Sequence, residues 1–258
     1  VNADGTLNVC PVGGLYPFYC VTENVRVYSR DGGVHTGTVC RTPNSIHVTE
    51  EELRETAPDF RKNVCVVLDE DVKTAQDVRA LGIDTGDMIA LEPRFVYANG
   101  YLKSRFIDDK AAVACCFAAI KAMKEQGLKP KYRTVLAFPY NEEIGFGGTF
   151  VPAEVSEYVA IDIGLIGPDY DGDEYKVSIC AKDNAAPYDY ELTNRLIGYA
   201  EKAGCDYAVD VFYRYGTDGN AAVRAGNNLR AAAFGMAVYC SHGRERTHIT
   251  GLENTVNL

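Results

Sequence analysis

The chain has 258 residues and a formal net charge of −10, from 36 acidic against 26 basic side chains. At 47% hydrophobic and 24% charged residues it has an ordinary globular composition, which excludes disordered, collagen-like and low-complexity readings. The acidic balance, with no Lys/Arg cluster, argues against nucleic acid as a partner, and no apolar run approaches the roughly 20 residues of a membrane span.

Residues 1–97 read as short strands punctuated by glycine turns. Asn24–Ser29 and Val34–Cys40 alternate on either side of Asp31-Gly32-Gly33, the pattern of a hairpin. Val64–Leu68 is a continuous β-branched run of buried-strand type. Thr74–Leu81 forms a brief helix stopped by Gly82, and Asp87–Leu91 and Arg94–Ala98 are further strands before the Asn99-Gly100 turn. This spacing predicts a small β-barrel.

Residues 98–258 change character. Ile107–Gln126 carries Ala112, Val113, Cys116, Phe117, Ile120 and Met123 at helical spacing. Strands are expected at Thr134–Pro139, Tyr158–Asp162, Tyr207–Tyr213 and Ala231–Cys240, with a helix over Tyr188–Ala203. That alternation predicts an α/β domain with a mainly parallel sheet and flanking helices. Leu252 and Val256 mark a last helix, in which the chain stops. The nine cysteines are odd in number and include no C-x-x-C, which favours reduced thiols and a cytoplasmic location.

The expected strand ends carry the chemistry, because ligands of open α/β sheets bind outside strand carboxyl ends. Asp108-Asp109, Glu142-Glu143, Asp162, Asp218 and His242 each follow a strand-like segment, and the ends are expected to share one edge. Each has an ordinary explanation on its own: a helix cap, a solvated pair, an Asx turn, a polar loop. Together, so many carboxylates at one edge need divalent cations to neutralise them. Hard oxygens with one imidazole suit Zn, Mn or Co. Two such ions about 3.5–4 Å apart would activate a water whose proton a nearby unligated carboxylate accepts. The Glu142-Glu143 pair offers that division, one ligand and one base.

Five ordered motifs now make a resemblance specific: Phe106-Ile-Asp-Asp-Lys110, Asn141-Glu-Glu-Ile-Gly145, Ala160-Ile-Asp162, Tyr215-Gly-Thr-Asp-Gly219 and Ser241-His-Gly-Arg-Glu-Arg-Thr-His248. In that order they resemble the dinuclear metallo-aminopeptidases of the tetrahedral, glutamyl-aminopeptidase-like family, also called cellulase M. The resemblance covers essentially the whole chain. It implies a zinc-peptidase-like catalytic domain, residues 98–258, interrupted by a β-barrel dimerisation domain, residues 1–97. It implies cytoplasmic removal of N-terminal residues from short peptides, with self-association as homodimers and a twelve-subunit shell. Carried over by position, Asp108 bridges two divalent ions and is followed by Asp109 through a cis peptide bond. Glu142 becomes the general base, Glu143 a ligand of one ion, Asp162 a ligand of the other. Counting from Gly235 places the ligand imidazole on His242, with His248 the alternative.

One departure stands out. The family carries a His-x-Asp pair upstream of its barrel, and no His-x-Asp occurs here. The expectation is therefore a fragment of the parent enzyme, with one complete metal site and half of another, holding one ion tightly. Rival readings are a non-catalytic metal- or peptide-binding module and a related metal-dependent deacylase.

Overall fold

A computed structural model describes the backbone of residues 1–258 and every side chain outside residues 52 and 53. It divides into two compact units, Val1–Pro93 and Arg94–Leu258. Among the described residues, no helix is long and apolar enough to cross a membrane.

The first unit holds β1 (Leu7–Asn8), β2 (Asn24–Tyr28), β3 (Val34–Arg41), α1 (Glu51–Arg54), β4 (Val64–Leu68), α2 (Ala75–Ala80) and β5 (Met88–Leu91). The strands form one antiparallel sheet in the order β1-β4-β3-β2-β5. Among the described ladders its edge strands β1 and β5 do not pair with each other, so the observed form is a sheet rather than a demonstrated closed barrel. Val25 and Val27 alternate inward from β2 and meet Val39, Val64, Val66 and Leu68. Val78 and Ile83 close the core from the α2 side. Thr74 caps α2: Asp77 N donates to its hydroxyl, and the Asp77 side chain accepts from the Thr74 amide.

The second unit contains β6 (Val96–Ala98), β7 (Tyr101–Ser104), α3 (Ile107–Glu125), β8 (Glu157–Ile161), β9 (Gly164–Leu165) and β10 (Val177–Lys182). It continues through α4 (Tyr190–Ala203), β11 (Tyr207–Val211), α5 (Asp218–Arg224), β12 (Arg230–Val238), β13 (Glu245–His248) and α6 (Ile249–Asn257). The main sheet runs β11-β10-β12-β8, with β9 also on β12, and the smaller sheet runs β13-β7-β6. Leu192, Leu196 and Ala200 of α4 pack on Val177, Ile179, Ala232 and Phe234, while α3 and α6 cover Met236 and Val238. The alternate residues Ala231 and Ala233 join a separate cluster with Cys180, Tyr188 and Phe212. Small alanines on β12 let this central strand be buried on both faces.

The α/β class with flanking helices stands, and four details differ from expectation. The sheet is mixed, because β12 runs parallel to β8 and β9 but antiparallel to β10. The strand ends therefore do not share one edge: β10 and β11 point away from the ends of β8 and β12. Thr134–Pro139 belongs to no ladder, and Val135, Leu136 and Phe138 are exposed. Its β-branched composition states a preference, but no neighbouring strand among the described residues takes up its hydrogen bonds. The buried stripe of α3 is Ile107, Ala111, Ala112 and Cys115, whereas Phe117 and Ile120 are exposed, Phe117 stacking on Phe138. Last, the charged run before α6 is the strand β13, paired with β7, and not a loop. Its inward positions are the polar Glu245 and Thr247, so it shows no apolar alternation in sequence.

Candidate metal centre

Four segments of the second unit converge. β7 delivers the first: Phe106 takes a left-handed conformation (φ 64°) and turns the chain into α3. Asp108 and Asp109 follow, joined by a cis peptide and lying outside helical geometry. β8 delivers the second, Asp162, one residue beyond its end. The Asp162 amide donates to Phe234 O at 3.0 Å, so β12 grips this residue too. Here β12 carries Gly235, and a Cβ there would lie 1.5 Å from Asp162 O. Only glycine allows that approach.

The third segment is the turn of Glu142–Ile144, which continues through Gly145 and Gly148. It rests on the start of α5: a Cβ on Gly147 would fall 1.8 Å from Asp218 Oδ1. Asp218 also accepts a long hydrogen bond from Tyr158 Oη at 3.5 Å. Asp183, wholly buried after β10, steadies that start of α5. Its carboxylate accepts from Ala185 N, Ala186 N, Tyr188 Oη, Thr217 N and Asn220 Nδ2.

The fourth segment follows β12. Ser241 Oγ donates to Asp108 Oδ2 at 3.1 Å, and His242 Nε2 lies 3.5 Å from the same oxygen. His242 Nε2 is also 3.5 Å from Glu143 Oε2. His248 goes elsewhere, its ring centroid 4.7 Å from those of Tyr101 and Tyr175, and its Nδ1 accepts from Thr250 N.

The structure thus brings Asp108, Glu143 and His242 together on one side. On the other, Asp108, Asp109 and Asp162 each offer an oxygen within 4.8 Å of the others'. Glu142 stands electrostatically between Asp218, Glu143 and Asp108. Such crowding has a price in proton affinity. Burial, then the charges of Asp162, Asp108 and Glu142, push Asp109 up to about 11. Burial, then Asp218, pushes Glu142 to about 8. Burial chiefly raises Asp108, Glu143 and Asp162, with His242 opposing the rise at Asp108 and Glu143. Asp109 Oδ1 is buried without a hydrogen-bond partner. Buried oxygens of Asp108 and Asp162, with Asp109, the more exposed Glu143 and one imidazole beside them, fit divalent cations of the Zn, Co or Mn type.

Sequence reasoning missed Glu245, Ser241 and Asp183. Ser241 and Glu245 stand within the last motif, but a Gly-Arg-Glu-Arg run looks solvated, and Glu245 is 1% exposed.

Comparison with known proteins covers the same ground. The family described as M42 glutamyl aminopeptidase matches residues 1–258. YhfE of Bacillus subtilis (strain 168) is 36% identical over 260 residues, spanning 100% of this chain and 75% of that protein. Among solved structures, the Pyrococcus horikoshii TET1 peptidase, which can assemble into a tetrahedron or a large octahedral shell, superposes with a TM-score of 0.84. It shares 24% identity over 100% of this chain and 76% of its own. A TET aminopeptidase from a marine sediment thaumarchaeon gives 0.81, at 17% identity over 99% of this chain and 73% of its own.

Proposed function

The chain belongs to the M42 glutamyl aminopeptidase family, metal-dependent hydrolases, and from that premise we propose how its residues divide the work. Asp108, Glu143 and His242 would hold one divalent cation of the Zn, Co or Mn type, and Asp108 and Asp162 would contribute oxygens to a second, less complete position. The observation that carries this reading is the double placement of Asp108, beside His242 on one side and within the Asp109–Asp162 oxygen cluster on the other. When bound, the cations supply Lewis acidity toward a peptide carbonyl and its attacking water.

Glu142 accepts the water's proton and delivers it to the departing amine. Two features support this role. Glu142 directly precedes the ligand Glu143 and lies among Asp218, Glu143 and Asp108, and its raised proton affinity suits exchange near neutral pH. The substrate is a short peptide with a free amino terminus. Metal content and kcat on an aminoacyl p-nitroanilide, measured for Glu142→Gln and Glu143→Gln side by side, test the division: loss of metal from Glu142→Gln alone would reverse it.

A second reading concerns Asp109. Its unpartnered oxygen within the cluster favours a part as a further oxygen ligand beside Asp162, completing that half of the site. In that case Asp109→Ala loses one metal equivalent, whereas under the first reading it keeps both.

Residues 1–97 are proposed as the dimerisation domain, and the protein as a homodimer that builds a larger, dodecameric shell in the cytoplasm. The nine free thiols accord with a reducing compartment, and the relatives' shells accord with self-assembly. Light scattering coupled to size exclusion tests the assembly.

A further inference from the structure

Glu245 lies at the start of β13, opposite Ser104 of β7, and is almost wholly buried. Its two carboxylate oxygens are used separately. Oε2 accepts the Asp108 amide at 3.0 Å, and Oε1 accepts the His242 amide at 3.0 Å. One side chain thus holds the backbone of two proposed ligands that come from opposite ends of the second unit.

Both segments need holding. His242 is left-handed at φ 63°, and Phe106, two residues before Asp108, is left-handed at φ 64°. A non-glycine residue is strained there, so the conformation persists only where its surroundings enforce it. A buried carboxylate without hydrogen bonds would itself be costly, and these amides satisfy it. The arrangement serves the ligand backbones: the Asp108 and His242 side chains remain turned toward each other, and Asp108 also reaches the Asp109 and Asp162 oxygens.

We propose that Glu245 is the positioning residue of the metal centre, fixing Asp108 and His242 in register by clamping both amides with one carboxylate. This rests on the metal-centre reading above. A glutamine at this position has a single acceptor oxygen, and its NH2 group faces an amide donor, so one clamp is lost. Displaced backbone contacts behind metal ligands lower affinity by roughly 10–100-fold.

The test titrates metal-free full chain with Co2+ against a chromophoric chelator, for the unmodified protein and for Glu245→Gln. It also records the Co2+ visible spectrum and the melting temperature of each metal-free protein. The expected result is a folded variant whose Co2+ affinity falls at least ~10-fold and whose visible bands shift. A purely structural role would lower the melting temperature and leave affinity and bands unchanged, and that outcome overturns the proposal. Should Glu245→Gln not fold, Glu245→Asp replaces it: the shorter carboxylate keeps its charge but not its reach to both amides. Unchanged affinity in that variant overturns the proposal equally. If the unmodified chain binds no Co2+, the metal-centre reading itself fails, which is a different result from an unmodified chain and variant that bind alike.

Discussion

His242 Nε2 and Asp108 Oδ2 stand 3.5 Å apart, joining the turn after β12 to the first residues of α3. Asp108 also belongs to the Asp109–Asp162 oxygen cluster, so it adjoins both groups of proposed ligands.

Removing it should therefore have the largest effect. Asp108→Ala is expected to abolish tight divalent-metal binding, and His242→Ala to remove the ion on its own side only. Metal analysis after exhaustive dialysis checks this. Retention of all bound metal by Asp108→Ala would refute the shared position.

Glu142→Gln keeps size and much of the hydrogen bonding but loses the basic oxygen. It should leave metal content unchanged and lower kcat by roughly 10²–10⁴-fold, the usual worth of general acid–base catalysis. KM should change little, and steady-state kinetics on an aminoacyl p-nitroanilide separates the two constants.

The metal-free chain should lose stability as pH rises. Asp218 is raised from 3.8 to about 6 and Glu142 from 4.5 to about 8, both mainly by burial. Folded chains thus hold protons that unfolded chains release. The stabilisation is complete below the unfolded values and disappears as pH climbs through the folded ones. Melting temperature should fall between about pH 5 and pH 8, and added Zn2+ should raise it more at the upper end, where the carboxylates are ionised. A melting temperature that increases over this range without metal would contradict the crowding argument.

Gly235→Ala places a methyl group where Asp162 O already lies, 1.5 Å from the new Cβ. Backbone cannot give way as a side-chain tip can, so β8 and β12 must separate. Overpacking of this kind costs about 1–3 kcal/mol, and here it also displaces Asp162. Urea denaturation should show the loss, together with weaker metal retention. A variant as stable as the parent would show that this close approach is relaxed in solution.

Much of the centre is legible in the sequence because its acidic residues stand at element boundaries, where a carboxylate after an apolar run is conspicuous. Asp108, Glu142, Glu143 and Asp162 stand out that way, His242 stands out as an imidazole after an apolar strand, and the fold gathers them into one region. Glu245 does not, because the physics that buries it is tertiary: its neighbours in sequence are two arginines, and its partners are amides of other segments. Asp183 is hidden only in part for that reason: Thr217 N and Asn220 Nδ2 come from the start of α5, while Ala185 N, Ala186 N and Tyr188 Oη are close in sequence. Among the elements, Val64–Leu68 was read to the residue because turns bound it and its paired neighbours bury it. Thr134–Pro139 shows the converse, since strand composition becomes a strand only where a partner backbone is available.

That same stretch bears on how the protein behaves in the test tube. An extended run that pairs with no strand among the described residues, and which exposes Val135, Leu136 and Phe138, has the makeup of a sticky edge. The 258-residue polypeptide should therefore grow less soluble with concentration, and a lysine at Leu136 should relieve the turbidity without touching the carboxylates of the centre.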